Sequence, residues 1–191
     1  MTDFSPIFQR LNRTKPLSIR LKNALNESIR VNKFEGQESF LSPGNHANSI
    51  YYIQSGMLRG AVEGPSEKVT TWFKQEDDLI IPEGIITGSP VNEYITAVVK
   101  TTLFSISVNH IQKLLATIPE MSELLLLLLE EKNQESYYRE QLLRLPTARD
   151  RYNAIAKNQD FILKRVPHYL IASYLNVTKE TFSRLHKGLS Y

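Results

Sequence analysis

The polar residues whose types and spacing best suit a specific interaction lie in one segment near the end of the chain, residues 165–188. Its apolar positions predict two helices, over 168–176 and 178–188. We place the break between them at Asn176, because asparagine tolerates the left-handed backbone that a tight turn needs. Thr178 is then a good N-cap for the second helix. This arrangement leaves a set of polar side chains of the second helix facing outward: Lys179, Glu180, Thr181, Ser183, Arg184 and Lys187.

These outward residues are of the types that bind DNA. An arginine can donate two hydrogen bonds to guanine, a glutamate can accept one from cytosine, and Thr or Ser can contact bases or phosphates. Lys187 and the backbone amides at the start of the helix would contact phosphates. His168 lies at the start of the first helix and could also contact phosphate. We therefore predict a DNA-binding set made of Thr178, Lys179, Glu180, Thr181, Ser183, Arg184, Lys187 and His168. The alternative is a helical hairpin with a purely structural role, since such hairpins are common.

The distribution of charge is uneven along the chain. The net charge is only +3, but from Arg144 onward nine basic residues stand against three acidic ones. A basic terminal module on a nearly neutral body indicates a polyanionic partner. A cationic surface that is simply solvated is the alternative.

The elements that must position this segment change type along the chain. Apolar residues at four-residue spacing predict one amphipathic helix over residues 17–31. From Val31 to about Val108 the sequence breaks into short runs rich in β-branched and aromatic residues, separated by Gly, Pro, Asn and Asp. Many short strands at this spacing predict an antiparallel sandwich or a jelly-roll barrel.

Helical periodicity returns at Asn109 and predicts a short helix that Pro119 stops. A long helix follows from Glu120 to about Leu145, and three more segments are predicted to be helical, over 147–158, 168–176 and 178–188. The first half of the long helix is apolar almost all round, so it must be buried on more than one side. We predict that one face packs on the barrel and another on a second copy, with dimer contacts from Met121, Leu124, Leu125, Leu128 and Tyr138. A helix buried within one chain is the alternative.

With these features in place, nearly the whole chain resembles the cyclic-AMP receptor/fumarate-nitrate regulator (Crp/Fnr) family of transcription regulators, especially its short Bacteroidetes-type members. The resemblance implies an α+β fold with a cyclic-nucleotide-binding-like jelly-roll barrel over 1–118, a dimerisation helix over 119–145 and a helix-turn-helix domain over 146–191. It also implies a homodimer on two-fold symmetric double-stranded DNA and a small-molecule effector. It is carried by Phe40–Gly44, Tyr51–Ile53, Gly56–Gly60, the TTWF run at 70–73, the leucine-rich helix and residues 165–185. The glycines at 44 and 56 match turns where a positive φ is needed.

The sequence departs from this family where the cyclic nucleotide would bind. Members that bind it hold its phosphate with a Gly-Glu helix followed by an Arg-Ser or Arg-Thr pair. Here no arginine lies between Arg59 and Arg139, and the expected place holds Asn92 or Glu93. A carboxylate would repel a phosphate. Glu83 could match the glutamate that binds the ribose. We therefore predict that cyclic AMP is not bound, and Glu83, Asn92 and Glu93 remain as candidates for an unidentified effector.

Several classes of protein are disfavoured by what the chain contains. It has no cysteine, which excludes disulfides, iron–sulfur ligation and cysteine nucleophiles. Its four histidines show no metal-ligand spacing, so we predict no metal, no cofactor and no catalytic residue. A cupin-type metalloenzyme is one alternative, and a ligand-binding module whose C-terminus no longer binds DNA is another. The longest apolar run is too short to span a bilayer and the N-terminus lacks a signal sequence, so we expect a cytoplasmic protein.

Overall fold

The structure, a computed structural model, describes residues 2–188 and divides into two units. The first unit contains the described residues up to Arg59 together with Lys74–Asn133. The second contains Gly60–Phe73 together with the described residues from Gln134 onward. A hairpin segment of the β-structure is thus grouped with the C-terminal helices.

Two helices precede the strands, α1 (Ser5–Thr14) and α2 (Ile19–Asn26). The single helix predicted over 17–31 is wrong in its second half, since α2 ends at Asn26 and a strand starts at Arg30. The apolar spacing misled because Ile29 is buried in the same core as Leu21 and Leu25, although it lies outside the helix.

Eight strands form two four-stranded sheets, which confirms the prediction of antiparallel strands in this region. The strand orders are β1-β8-β3-β6 and β2-β7-β4-β5. The strands are β1 (Arg30–Phe34), β2 (Ser39–Leu41), β3 (Ser49–Ser55), β4 (Met57–Val62), β5 (Val69–Gln75), β6 (Leu79–Ile80), β7 (Tyr94–Ala97) and β8 (Thr101–Ser107). Gly44 and Gly56 have φ angles of +85° and +100°, as the turns at these positions require. At Gly56 a Cβ would also lie 2.6 Å from the Lys100 carbonyl oxygen, so the turn from β3 to β4 excludes a side chain.

Two helices follow the strands as predicted, α3 (Val108–Thr117) and α4 (Pro119–Arg144). In the first unit the apolar half of α4 belongs to one core with α1, α2, α3 and one face of β3 and β8. Four residues predicted to form a dimer interface are buried in this core by their own chain, so they are not a free surface for a second copy: Met121, Leu124, Leu125 and Leu128. Only Tyr138 of the predicted set lies outside it. No helix in the described part of the chain is long and apolar enough to cross a membrane.

The second unit contains four more helices: α5 (Ala148–Asn158), α6 (Asp160–Arg165), α7 (His168–Tyr174) and α8 (Lys179–Lys187). Three of them confirm the predicted helical segments. The six-residue α6 was not predicted, because it is too short to show a helical period. The core of this unit is built from Tyr152, Ile155, Ile162, Val166, Leu170, Ile171, Tyr174, Leu175 and Phe182, all of which are buried.

Candidate nucleic-acid interface

A tight turn joins α7 to α8. Asn176 has φ +52°, as its predicted left-handed conformation requires. Its amide donates to the Ser173 carbonyl (3.1 Å), and the Val177 amide donates to the Ala172 carbonyl (3.0 Å). These two bonds form a Schellman motif, which satisfies two of the carbonyls at the end of α7 and fixes the direction in which the chain leaves it. The small, buried Ala172 lies at the start of this motif.

The start of α8 is capped as the sequence indicates. The Thr178 hydroxyl accepts a hydrogen bond from the Thr181 amide (3.2 Å). Hydrogen bonding to its own backbone amide, and then to Thr178, lowers the pKa of Glu180. Glu180 is therefore anionic at neutral pH, and its charge at the first turn complements the helix dipole.

One side of α8 is held in place by a group of rings. Phe182 is only 1% exposed, and its ring lies 5.9 Å from that of Tyr152, measured between centroids. The hydroxyl of Tyr152 is 3.0 Å from Nδ1 of His186. The ring of His168 lies 4.7 Å from that of His186 and 5.2 Å from that of Phe182. These contacts fix the rotation of α8 about its axis and so decide which residues face outward.

The opposite side of α8 carries most of the predicted DNA-binding residues. Glu180, Arg184 and Lys187 lie on it and are exposed, and the exposed Thr178 and Lys179 lie at the start of the helix. His168, by contrast, packs with the rings on the other side of α8. Thr181 and Ser183 are only half-buried at the margin of this surface. Within the described residues, the three cations of α8 form no salt bridge. The helix therefore presents three exposed cations without a salt bridge to a described residue, of which Arg184 donates through Nε to the Glu180 carbonyl at 3.4 Å.

Two arginines that sequence reasoning did not single out hold the end of α7. The guanidinium of Arg139 lies 3.9 Å from the centroid of the Tyr174 ring, and its Nη2 donates to the carbonyl oxygens of Thr70 (3.3 Å) and Tyr174. Burial lowers the pKa of Arg139. Arg151 donates to the carbonyls of Leu175 and Leu145, both at 2.9 Å. Arg151 was counted in the basic surplus, but its contacts are structural, and no local signal separates it from a surface cation.

The hairpin segment is tied to α7 within the same unit. The Thr70 amide of β5 donates to the Ser173 hydroxyl at 3.0 Å, and the ring of Phe73 lies 5.4 Å from that of Tyr174. Together with Arg139, these contacts link β5 to the helix that precedes α8. A displacement of β5 would therefore change its contacts with α7.

The three candidates for effector binding lie in the first unit. Asn92 Nδ2 approaches Glu83 Oε1 at 3.5 Å, and both side chains are exposed, whereas Glu93 is half-buried. Glu83 lies in a turn and not in a helix. Gly84 in this turn has φ +73°, and a Cβ there would come within 2.0 Å of the Ser89 carbonyl oxygen. The segment is thus tightly folded, with a carboxylate facing an amide.

The remaining histidines bind backbone carbonyls. His46 Nδ1 is 2.9 Å from the Gly88 oxygen, and His110 Nε2 is 2.9 Å from the Ala24 oxygen. Among residues 2–188, no three His, Asp or Glu side chains are grouped so that they could hold a metal ion.

Comparison with known proteins identifies the fold of the chain. No protein-family model and no curated protein matches the chain. A protein from Eubacterium rectale assigned to the crp/fnr family of transcriptional regulators is similar in structure, with TM-score 0.73, 13% identity and coverage of 90% of this chain and 83% of that one. The c-di-GMP-responsive global regulator CLP from Xanthomonas campestris is similar with a TM-score of 0.70 and 16% identity, over 90% of this chain and 91% of that one. A cyclic nucleotide-binding domain from Methylobacillus flagellatus is similar with a TM-score of 0.65 and 20% identity, over 75% of this chain and 85% of that one. The chain therefore has the cyclic-nucleotide-binding fold found in such regulators.

Proposed function

We propose that this protein is a sequence-specific DNA-binding transcription regulator of the Crp/Fnr family. The observation that carries the proposal is the surface of α8, where Lys179, Arg184 and Lys187 are accessible and form no salt bridge in the described part of the chain. The fold shared with regulators supports it. In this proposal α7 and α8 form a helix-turn-helix, and α8 enters the major groove of double-stranded DNA.

The roles of the α8 residues follow from their chemistry. Arg184, in the middle of the helix, can donate two hydrogen bonds to a guanine, and Glu180 can accept one from a cytosine. Lys179 and Lys187 lie at the two ends and would contact phosphates. The amides at the start of the helix add a third phosphate contact, helped by the dipole. Thr178, Thr181, Ser183 and His168 complete the proposed interface.

We propose that the regulator is a homodimer that contacts its second copy through α4. The predicted residues on the core side are covered by their own chain, so the exposed side of α4 is the better candidate. There, in the first unit, Leu126 is 67% exposed. Replacing Leu126 with Glu should convert a dimer into a monomer in sedimentation, and an unchanged mass would contradict this face.

The proposed sensor does not bind cyclic AMP. No arginine lies between Arg59 and Arg139, and the amide of Asn92 already faces the carboxylate of Glu83. A phosphate placed there would meet negative charge without a guanidinium to neutralise it. Calorimetric titration with cyclic AMP should give no saturable heat, and binding in the micromolar range would contradict the proposal. A different small-molecule effector remains part of it.

The experiment that tests DNA binding is selection of genomic fragments by the purified protein. We expect enrichment of a two-fold symmetric site. On that site Arg184→Ala should weaken binding by roughly 1–3 kcal/mol, as removal of a base contact does. The matched control is Lys113→Ala, which removes one exposed positive charge from α3 and should leave the affinity unchanged. No enrichment, or equal effects of the two variants, would favour a ligand-binding module whose C-terminus does not bind DNA.

A further inference from the structure

A second surface with free polar groups lies in the first unit, and its loop residues are hydrogen-bonded to Gly88 and Val91, next to the segment that holds Asn92. It is a groove of about 720 Å³, lined by residues of β1, β2, β3 and β8 and by the loop between β2 and β3. This volume falls within the range of small-molecule sites. The strands β1 and β2 are the terminal strands of their two sheets, so the groove lies where, among the described strands, the edges of the sheets are not covered by another strand.

Three asparagines in the groove are oriented alike by the protein. In each, the side-chain oxygen accepts a hydrogen bond from a neighbouring group. The pairs are Asn32 with the Ser105 hydroxyl (2.7 Å), Asn45 with the Ser42 amide (3.1 Å) and Asn48 with the Tyr51 hydroxyl (3.4 Å). Because each oxygen is engaged, the amide nitrogen is the part that remains to donate to a ligand. The groove therefore offers several donors for a ligand that carries acceptors.

The charge of the groove also favours a ligand that carries acceptor groups. Arg30 is exposed, and its guanidinium makes only a long contact, 3.4 Å, to the Ile29 carbonyl among the described residues. None of the described residues that line the groove carries a carboxylate. His46 is also in the lining, and its Nδ1 is engaged with the Gly88 carbonyl at 2.9 Å. A guanidinium beside several amide donors is the arrangement that binds carboxylates and phosphates.

Aromatic rings form the apolar part of the groove. Phe34 and Phe40 are stacked with centroids 4.5 Å apart and an angle of 26° between their planes. Tyr51 meets Phe40 edge-on at 5.3 Å. Phe34 and Phe40 are only half-buried, so part of each ring remains exposed. A flat ligand ring can pack against this group with the geometry that aromatic pairs prefer.

We propose that this groove binds a small aromatic acid, with its ring against Phe34 and Phe40 and its anionic group at Arg30 and the asparagine amides. The binding does not require that the protein bind DNA. It goes beyond the proposed regulator, because it assigns a ligand class and a site that the sequence pattern did not indicate.

The test is titration of the whole protein with benzoate and with phenyl phosphate, followed by NMR of the ¹⁵N-labelled side-chain amides. Both probes should bind saturably and shift the amide signals of Asn32, Asn45 and Asn48. The two arms show whether the site prefers a carboxylate or a phosphate. Benzamide, which keeps the ring without the charge, and inorganic phosphate, which keeps a charge without the ring, should each bind at least about tenfold more weakly.

Two variants connect the binding to the groove. Arg30→Gln should weaken both probes by roughly tenfold or more, since it removes the charge-assisted hydrogen bonds. Lys33→Gln is the matched control, because it removes one charge from the same strand on the opposite face. Asn32→Asp keeps the acceptor for Ser105 but replaces the donor with a negative charge, and should abolish binding.

Three results would overturn the proposal. One is that neither benzoate nor phenyl phosphate binds saturably. Another is equal affinity for benzamide and benzoate, which would mean that the anionic group is not recognised. The last is an equal effect of Arg30→Gln and Lys33→Gln, with both variants shown to be folded by circular dichroism.

Discussion

The charged residues near the N-terminus of the first unit differ from those on α8 of the second. Three cations of the N-terminal region are paired with distant acids: Arg10 with Glu131, Arg13 with Asp77, and Lys15 with Glu123 (2.8 Å). Each pair joins the N-terminal region to an element far along the sequence. On α8 of the second unit the cations form no salt bridge within residues 2–188. The difference shows that the number of charges does not tell which of them the fold leaves unpaired and exposed.

The largest change in stability is expected at Arg139 of the second unit, a cation whose contacts hold the end of α7. Arg139→Met should lower the free energy of unfolding by about 2–4 kcal/mol, since it removes hydrogen bonds of a charged donor and a contact with the Tyr174 ring. Denaturant unfolding measures this change. The control is Arg149→Met on the exposed surface of α5, which should change stability little. Equal effects would show that the buried contacts of Arg139 add nothing.

A smaller effect is expected at the start of α8. Thr178→Ala removes the side-chain acceptor for the Thr181 amide and should cost about 1 kcal/mol of stability. Thr178→Ser retains the acceptor and should restore most of that stability. Urea unfolding of the three proteins makes the comparison. If the serine variant were as unstable as the alanine variant, the hydroxyl would not be the source of the effect.

The smallest effect is expected at a paired charge of the first unit. Burial alone would raise the pKa of Glu131, but hydrogen bonds from Thr14 and Arg10 together with the charge of Arg10 lower it. A carboxyl whose pKa is lower in the folded state stabilises the fold above its unfolded pKa, and this stabilisation disappears as the pH falls through the folded pKa. Glu131→Gln should therefore cost at most about 1 kcal/mol at neutral pH, because the pair is partly exposed.

The pH dependence gives that prediction its control. The difference in unfolding free energy between the parent protein and Glu131→Gln should shrink as the pH is lowered below the usual glutamate range. A difference that stays constant down to the acid-unfolding region would mean that the ionised carboxylate is not what stabilises the pair.

Sequence reasoning succeeded where short-range chemistry decides the structure. The left-handed Asn176 and the Thr178 cap involve only neighbours in the chain, so their residue types predict them. It failed where a distant partner decides. The end of α2 was missed because Ile29 packs in the same core as the apolar residues of α2, although it lies outside the helix. The face of α4 that its own chain buries could not be distinguished by sequence from a face that contacts a second copy.

The two surfaces differ in the same way. The α8 surface was predictable because one helix carries it. The groove of the first unit was not predictable, because residues of several strands line it. The orientation of its amide side chains also depends on contacts between strands, such as that of Asn32 with Ser105. The role of Arg139 depends on Thr70 and Tyr174 and was equally hidden.

The most direct test of the central claim is the salt dependence of DNA binding on an enriched site. The parent protein should show a steep fall in affinity with salt. The Lys179→Ala/Lys187→Ala double variant should reduce the slope by about 2, because two phosphates are no longer neutralised by a lysine. Lys15→Ala, at a paired cation of the first unit, should leave the slope unchanged. A slope that the double variant does not alter, or that Lys15→Ala reduces equally, would contradict the claim that α8 holds the DNA.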